Sequence, residues 1–433
     1  MSPAHQNEPV EGPGEGPAPR RLAVRLSPDA ERQVRGGHPW VFDASVRSVR
    51  VTGSQLDEVE PRAGDLAVVF DQRRRFVAIG LWDPHSAIRI RVLHRGRPRQ
   101  IDVGWFRERV AAAAHRRAAL ARSGATNGYR VVNGENDGLP GVVVDRYDRT
   151  VVLKLYSAAW LAHLGDLLAA VDAELQPQRV VLRLARVVQR AAPRGALGDG
   201  STLLGPSPDG PVVFSENGLV VEADVVAGQK TGWFLDQREN RARVRDLSAG
   251  ARVLDVFCAG GGFTLHAAAG GATEVHSVDL SPGAVAATRR NLALNAALPE
   301  VAGCTHRTTT GDAAEVMRAM RSGSHRFDLV VVDPPSFASK QDQVPGALRA
   351  YGRLTELAVG LLRPGGWLVQ ASCSARVPAE DFVRTVHAAA EASGVRLTGS
   401  QVTGHPVDHP IGFEHGAYLK AVFARVGRPN GAG

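Results

Sequence analysis

Cysteine is nearly missing from this sequence: three residues in 433, at positions 258, 304 and 373. An odd number, widely spaced, with no C-x-x-C pair and no His/Cys cluster at ligand spacing, argues against a disulfide framework and a zinc site. No metal is expected, and a reducing cytoplasm is the expected home. Lysine is almost as sparse. Lys154, Lys230, Lys340 and Lys420 are the four, so arginine carries most of the positive charge of a chain with 52 basic and 44 acidic residues and a net charge of +8. That balance suits partners that bear phosphate. No run of 18 or more apolar residues occurs, so no membrane-spanning helix is expected. A P-loop G-x-x-x-x-G-K-[ST] is also absent, and the glycine turn at 260–262 is not G-x-G-x-x-G, which argues against ATP and dinucleotides.

The length suggests two or three domains, since single domains usually hold on the order of 100 to 200 residues. Residues 1–20, rich in Pro, Gly and Glu, are expected to be a disordered tail rather than a signal peptide, and 428–433 a second tail. From 21 to 97 short β-type runs such as "RLAVRL", "DLAVVFD" and "AIRIRVL" alternate with turn residues, as in a small all-β domain. Residues 98–210 read as a compact α+β segment, opening with a helix over 102–122 in which Trp105, Phe106, Val110, Ala113 and Ala114 recur near helical spacing. From 211 to 427 near-continuous apolar strands alternate with helices. That pattern predicts a doubly wound, mostly parallel α/β sheet, whose ligands lie at the carboxyl ends of the strands.

Three stretches carry the chemistry. "VLDVFCAGGGF", 253–263, reads as strand, tight turn and helix start, with glycine letting a ligand approach the helix N-terminus. Asp279, 17 residues after Gly262, falls where the next strand ends and can accept both hydroxyls of a ribose; Asp312 falls at the end of a third strand, in reach of an adenine amino group. Each also suits a helix N-cap. A ribose and an adenine without phosphates describe S-adenosylmethionine. In "DLVVVDPPSF", 328–337, two prolines stiffen the turn that aims Asp333 and presents Phe337, an arrangement suited to holding a flat base. "LVQASCSARV", 368–377, puts Cys373 at the end of the following strand, at the same edge as Asp333.

Taken together, "HPWVF" (38–42), "GENDGLPGVVVDRY" (134–147), "GQKTGWFLDQRENR" (228–241), "DPPSF" (333–337), "SCS" (372–374), "DHP" (408–410) and "EHGAYLK" (414–420) resemble the bacterial large-subunit rRNA cytosine-5 methyltransferase I family. The resemblance runs over about 21–427. It implies an N-terminal PUA-type RNA-binding barrel, a central α+β domain, a C-terminal Rossmann-like class I methyltransferase, the cofactor S-adenosylmethionine and an RNA partner, typically 23S rRNA. By motif it implies a cofactor pocket lined by Gly261, Gly262, Asp279, Asp312 and Asp333; Phe257, Ala259 and Pro334, in the same two turns, are further candidates for cofactor contact. It implies Cys373 as nucleophile, and Asp333, which can hydrogen-bond N3 of the base, is the second candidate catalytic residue.

Cytosine C5 is too poor a nucleophile to take a methyl group directly, so a thiolate adds first at C6. Arg116 and Arg117 on the 102–122 helix, Lys230 and Arg238 in the polar run 228–241, and Phe337 are the candidate RNA contacts; Trp40 reads as barrel core. Two other functions fit parts of the pattern. An Asp-Pro-Pro-aromatic turn also serves methylation of exocyclic amines, which needs no covalent adduct, and a non-catalytic RNA-binding or ribosome-assembly role would leave the pocket idle. Monomer and homodimer are equally compatible with the sequence.

Overall fold

The computed structural model describes residues 19–52, 60–191, 197–413 and 416–427. The expected tail at 428–433 and all but two residues of the one at 1–20 lie outside the described residues. The chain divides into two compact units, one formed by 1–119, 129–212 and 224–232, the other by 120–128, 213–223 and 233–433.

The first unit holds two sheets. Six strands run in the order Trp40–Phe42, Ile88–Arg95, Phe76–Trp82, Leu66–Phe70, Arg21–Leu26 and Val46–Val51. Alternation builds them: in Arg21–Leu26 the apolar Leu22, Val24 and Leu26 are buried while Arg21 and Arg25 face out, the period-2 pattern of a half-buried strand. Five strands form the other sheet, ordered Thr202–Leu204, Arg179–Leu184, Thr150–Leu155, Val142–Tyr147 and Gly128–Asn133. Buried polar contacts join the two sheets, including Ser157 Oγ to Asp83 at 2.6 Å and His163 Nε2 to Gly64 O at 2.8 Å. The expected single helix over 102–122 is two helices. Asp102 caps Val103–Arg116, Trp105, Phe106, Val110 and Ala113 are buried, and the helix stops at Arg117 before Ala118–Arg122 resumes.

The second unit is built on a seven-stranded sheet. Its strands are β1 (Arg252–Val256), β2 (Glu274–Asp279), β3 (Thr305–Thr310), β4 (Phe327–Val332), β5 (Leu362–Ser372), β6 (Leu397–Thr403) and β7 (Lys420–Val426), in the order β3-β2-β1-β4-β5-β7-β6. β1 to β5 pair in parallel, and β7 runs antiparallel to both its neighbours. Helices α1 (Arg238–Asp246), α2 (Gly262–Ala269), α3 (Pro282–Ala293), α4 (Ala313–Ser322), α5 (Val344–Leu361) and α6 (Ala379–Ala392) cover the sheet. Apolar strand residues meet them on both faces. Val256, Val330, Met317, Tyr351 and Phe382 share one core; Val253, Leu329, Phe263 and Phe423 share the other.

The order of strands decides where a ligand belongs. β2 and β3 lie on one side of β1, β4 and β5 on the other, so the chain's winding reverses between β1 and β4 and opens a crevice there. The register aligns the strand ends, with Val256 opposite Val332 and Val332 opposite Gln370. Asp333 N donates to Val256 O at 3.3 Å and continues the ladder by one step.

Candidate active site

The turn after β1 is held open by unusual backbone. Phe257 (φ +65°), Ala259 (φ +49°) and Gly261 (φ +79°) all take left-handed conformations. For a non-glycine residue this costs roughly 1 to 2 kcal/mol, and such strain persists only where surrounding contacts enforce it. Here β2 enforces it. Phe257 N and Cys258 N both donate to Val278 O, and Ala259 N donates to Asp279 Oδ2 at 3.0 Å. The glycines meet protein on their Cα side: a Cβ at Gly260 would lie 2.8 Å from the Trp233 ring, at Gly261 2.5 Å from Thr288 Cγ2, and at Gly262 2.7 Å from Arg241 Cδ. Packing thus demands these glycines in addition to any ligand.

Several side chains around this turn suit an adenosyl group. Asp279 is half-buried at the end of β2, its Oδ1 accepting Ser281 N at 2.9 Å, so each oxygen keeps one lone pair for a ribose hydroxyl. Leu280, 73% exposed beside it, offers an apolar surface for a base. Asp312 is exposed at the end of β3 and caps α4 through Glu315 N at 3.0 Å, leaving its other oxygen available. Asp255, within β1, is fully buried. Its Oδ2 accepts both Thr264 N and Thr264 Oγ1, while Oδ1 has no partner among the described residues. Burial pushes this carboxyl up to about 6, and an orphaned buried acceptor calls for a donor or a cation. Asp255 and Leu280 were missed in the sequence. Their signals were an acid inside an apolar strand and an apolar residue directly after a strand-end acid.

Across the crevice, the two serines beside Cys373 fix its position. Ser372 Oγ donates to Tyr351 OH on α5 at 2.9 Å, and Tyr351 OH lies 2.9 Å from Ser374 Oγ. Ser374 Oγ also accepts Phe337 N at 3.1 Å and meets Ser336 Oγ at 3.2 Å. The loop after β4 and the end of β5 are therefore pinned together through hydroxyls. Between them Cys373, half-buried, puts Sγ 3.9 Å from Pro334 O. Phe337 packs its ring 5.1 Å from that of Tyr351. The other cysteines differ: Cys258 is buried against Thr288 Oγ1 at 3.6 Å, and burial drives its thiol well above the ordinary range; burial also raises Cys304, to a smaller extent.

Two of the candidate RNA contacts are corrected. Arg117 is buried and grips Asp137 with two bonds of 2.8 and 2.7 Å, and it also donates to Ala113 O and Arg130 O. Arg238, 1% exposed, grips Asp408 at 3.0 and 2.8 Å. Both guanidinium groups are taken up by buried carboxylates and face no solvent from which a phosphate could approach. Arg116 is exposed and reaches Asp137 as well; Lys230 is half-buried with φ +52°, and its carbonyl accepts Lys154 Nζ at 2.7 Å. Trp40 is half-buried, with its indole N–H on Glu135 at 2.8 Å. The run 236–240 is structural: Asp236 accepts from Tyr418 OH at 2.8 Å and Asn240 Oδ1 from Thr403 Oγ1 at 2.6 Å.

Comparison with known proteins agrees with this geometry. Residues 199–423 match the S-adenosylmethionine-dependent methyltransferase family model, and residues 24–95 match the PUA-like domain model. A ribosomal RNA large subunit methyltransferase of Deinococcus radiodurans is 49% identical over 94% of this chain and 98% of its own length. The ribosomal RNA large subunit methyltransferase I of Shewanella amazonensis is 35% identical over 94% and 99%. Among solved structures, a SAM-dependent methyltransferase from Streptococcus mutans superposes with a TM-score of 0.76 at 18% identity, covering 93% of this chain and all of that one. A second methyltransferase structure, complexed with SAH, gives 0.76 at 19% identity over 94% and 100%. The chain is thus a PUA-like-domain-containing member of the ribosomal RNA large subunit methyltransferase I family, whose cofactor is S-adenosylmethionine.

Proposed function

We propose that this chain methylates C5 of a cytosine in large-subunit rRNA, most simply 23S rRNA, through a transient bond between Cys373 Sγ and cytosine C6. The observation that carries the reading is the convergence of Cys373 and the Asp333-Pro334 turn, with Sγ 3.9 Å from Pro334 O, at the same carboxyl edge as Asp279, a residue proposed to hold the adenosyl group. S-adenosylmethionine supplies, when bound, a methyl group on a sulfonium sulfur. Phe257, Ala259, Gly261, Gly262, Asp279, Asp312 and Pro334 would hold it, with Asp255 and Leu280 added.

The protein's own residues do the rest. Cys373 forms a C6–S bond as a thiolate, and the electron pair of the C5–C6 double bond moves toward N3. Asp333, sharing a proton with N3, stabilises that charge and leaves C5 nucleophilic. After the methyl group is on C5, loss of the C5 proton sends its electron pair back into the ring and expels the thiolate. Phe337 gives the flat base a ring to rest against. Extruding the base costs roughly a few kcal/mol unless the target is already unpaired. The PUA-like barrel, proposed as 21–97, and the segment 98–210 would grip RNA phosphates, with Arg116 and Lys230 as the remaining candidate contacts. Methylation mapping of rRNA from cells with and without the gene tests the substrate; a methyl group found on an exocyclic nitrogen instead of C5 would overturn the reading.

A further inference from the structure

Beneath the Cys373 loop lies a buried charge that the reaction as described does not use. Lys420 opens β7 directly opposite Ser372, the residue before Cys373, and is 5% exposed. Its Nζ donates to three carbonyls, Ser374 O at 2.5 Å, Val377 O at 2.8 Å and Tyr418 O at 3.2 Å, two of which belong to the loop that carries the thiol. Among the described residues no carboxylate pairs with it. Buried cations are normally matched by an anion, because carbonyl dipoles alone leave the charge uncompensated. Burial accordingly pushes the Lys420 ammonium down to about 8, and the group that works the other way is Cys373. Among the described residues, Lys420 from β7 and Tyr351 from α5 are both coupled to Cys373, and Cys373 and Asp333 add to the burial that raises the tyrosine. Lys420 is the cation among these groups.

We infer that Lys420 is the positioning residue that activates Cys373, its ammonium holding the loop 374–377 by two carbonyls and stabilising the thiolate from below. The inference rests on the reading of Cys373 as the nucleophile. An opposite charge close to an acidic group typically lowers its pKa by about 1 to 3 units, so a lysine coupled to Cys373 raises the thiolate fraction near neutral pH about tenfold or more. The coupling is reciprocal: a thiolate at 373 keeps Lys420 protonated.

The test reads the thiol rather than turnover. Alkylation of Cys373 by iodoacetamide, followed by peptide mass spectrometry between pH 6 and 10 in the full chain, gives its apparent pKa apart from Cys258 and Cys304, which lie on different peptides. Lys420→Met should move that profile up by about one unit or more and slow alkylation at pH 7 about tenfold, while Lys420→Arg should restore most of the rate. Superimposable profiles in the folded Lys420→Met protein would overturn the inference. Should that variant fail to fold, lysine labelled at Cε in a chain with only four lysines reports the same coupling by NMR: Cys373→Ala should lower the Lys420 titration midpoint, and an unchanged midpoint refutes the pairing. The nucleophile reading stands or falls separately. An adduct with 5-fluorocytosine RNA alongside unchanged pH profiles defeats the role of Lys420 alone.

Discussion

Replacing Arg238 by methionine separates a structural arginine from an RNA-binding one. The guanidinium and the Asp408 carboxylate are both buried and joined by two bonds of 3.0 and 2.8 Å, with His409 Nδ1 3.3 Å from the same carboxylate. Methionine fills much of the arginine stem but leaves Asp408 as a buried charge without its two-bonded guanidinium partner. Breaking such a pair on one side costs about 3 to 5 kcal/mol. For a unit of roughly 200 residues, at about 2 to 4 °C per kcal/mol, that lowers the transition of the second unit by about 6 to 20 °C. The double variant Arg238→Met/Asp408→Leu should recover most of the loss, because no unpaired charge remains. The pH dependence gives a further check. Burial alone would raise Asp408, yet His409 and Arg238 outweigh it and hold the carboxyl well below the ordinary carboxylate range. Its contribution is therefore present above about pH 4 and is lost as pH falls below it, so the gap between wild type and Arg238→Met should narrow in acid. Urea unfolding at pH 7 and at about pH 2.5, below the ordinary carboxylate value, together with RNA affinity at fixed salt, decides it. A stability change under about 1 kcal/mol with a large fall in RNA affinity would refute the buried-pair account.

The turn and the carboxylates make further predictions. Gly261→Ala puts a Cβ 2.5 Å from Thr288 Cγ2 at φ +79°, which should cost about 2 to 4 kcal/mol from backbone and overpacking combined and weaken S-adenosylmethionine binding in calorimetry; wild-type stability and affinity would contradict it. Asp279→Ala should weaken that binding at least tenfold, through lost ribose contacts and a turn no longer anchored at Ala259 N; an unchanged dissociation constant would remove Asp279 from the site. Asp255 ionises near 6 against an ordinary 3.8, so its contribution to stability is full below about pH 4 and is lost as pH rises through 6, by about 3 kcal/mol. Asp255→Asn should therefore gain on the ligand-free wild type steadily between pH 4 and 7 in urea unfolding, and parallel curves would count against the burial of an ionisable group there.

The residues that sequence reasoning reached were those whose position follows from local pattern. Asp279, Asp333 and Cys373 fall at strand ends, and strand ends in a parallel sheet share one edge, so their place on that edge was legible without coordinates. Long-range pairing was not. Arg117 and Arg238 look like any surface arginine in a helical run, and only the fold brings Asp137 and Asp408 to them across 20 and 170 residues. The same limit hid Lys420, which meets Ser372 of β5 and the loop carbonyls of Ser374 and Val377, 46 and 43 residues away, only once the sheet forms. The helix over 102–122 failed as one piece for a related reason: Arg117 is drawn inward by Asp137, and the backbone breaks where it turns.

The central claim is that Cys373 bonds to the substrate base. Incubating the protein and S-adenosylmethionine with target rRNA carrying 5-fluorocytosine, which blocks the final proton loss, should trap a protein–RNA adduct stable to denaturing gel electrophoresis, map to the peptide holding Cys373, and vanish in Cys373→Ala. Methylation of the unmodified RNA without any adduct on the fluorinated one, or methylation retained by Cys373→Ala, would contradict the account.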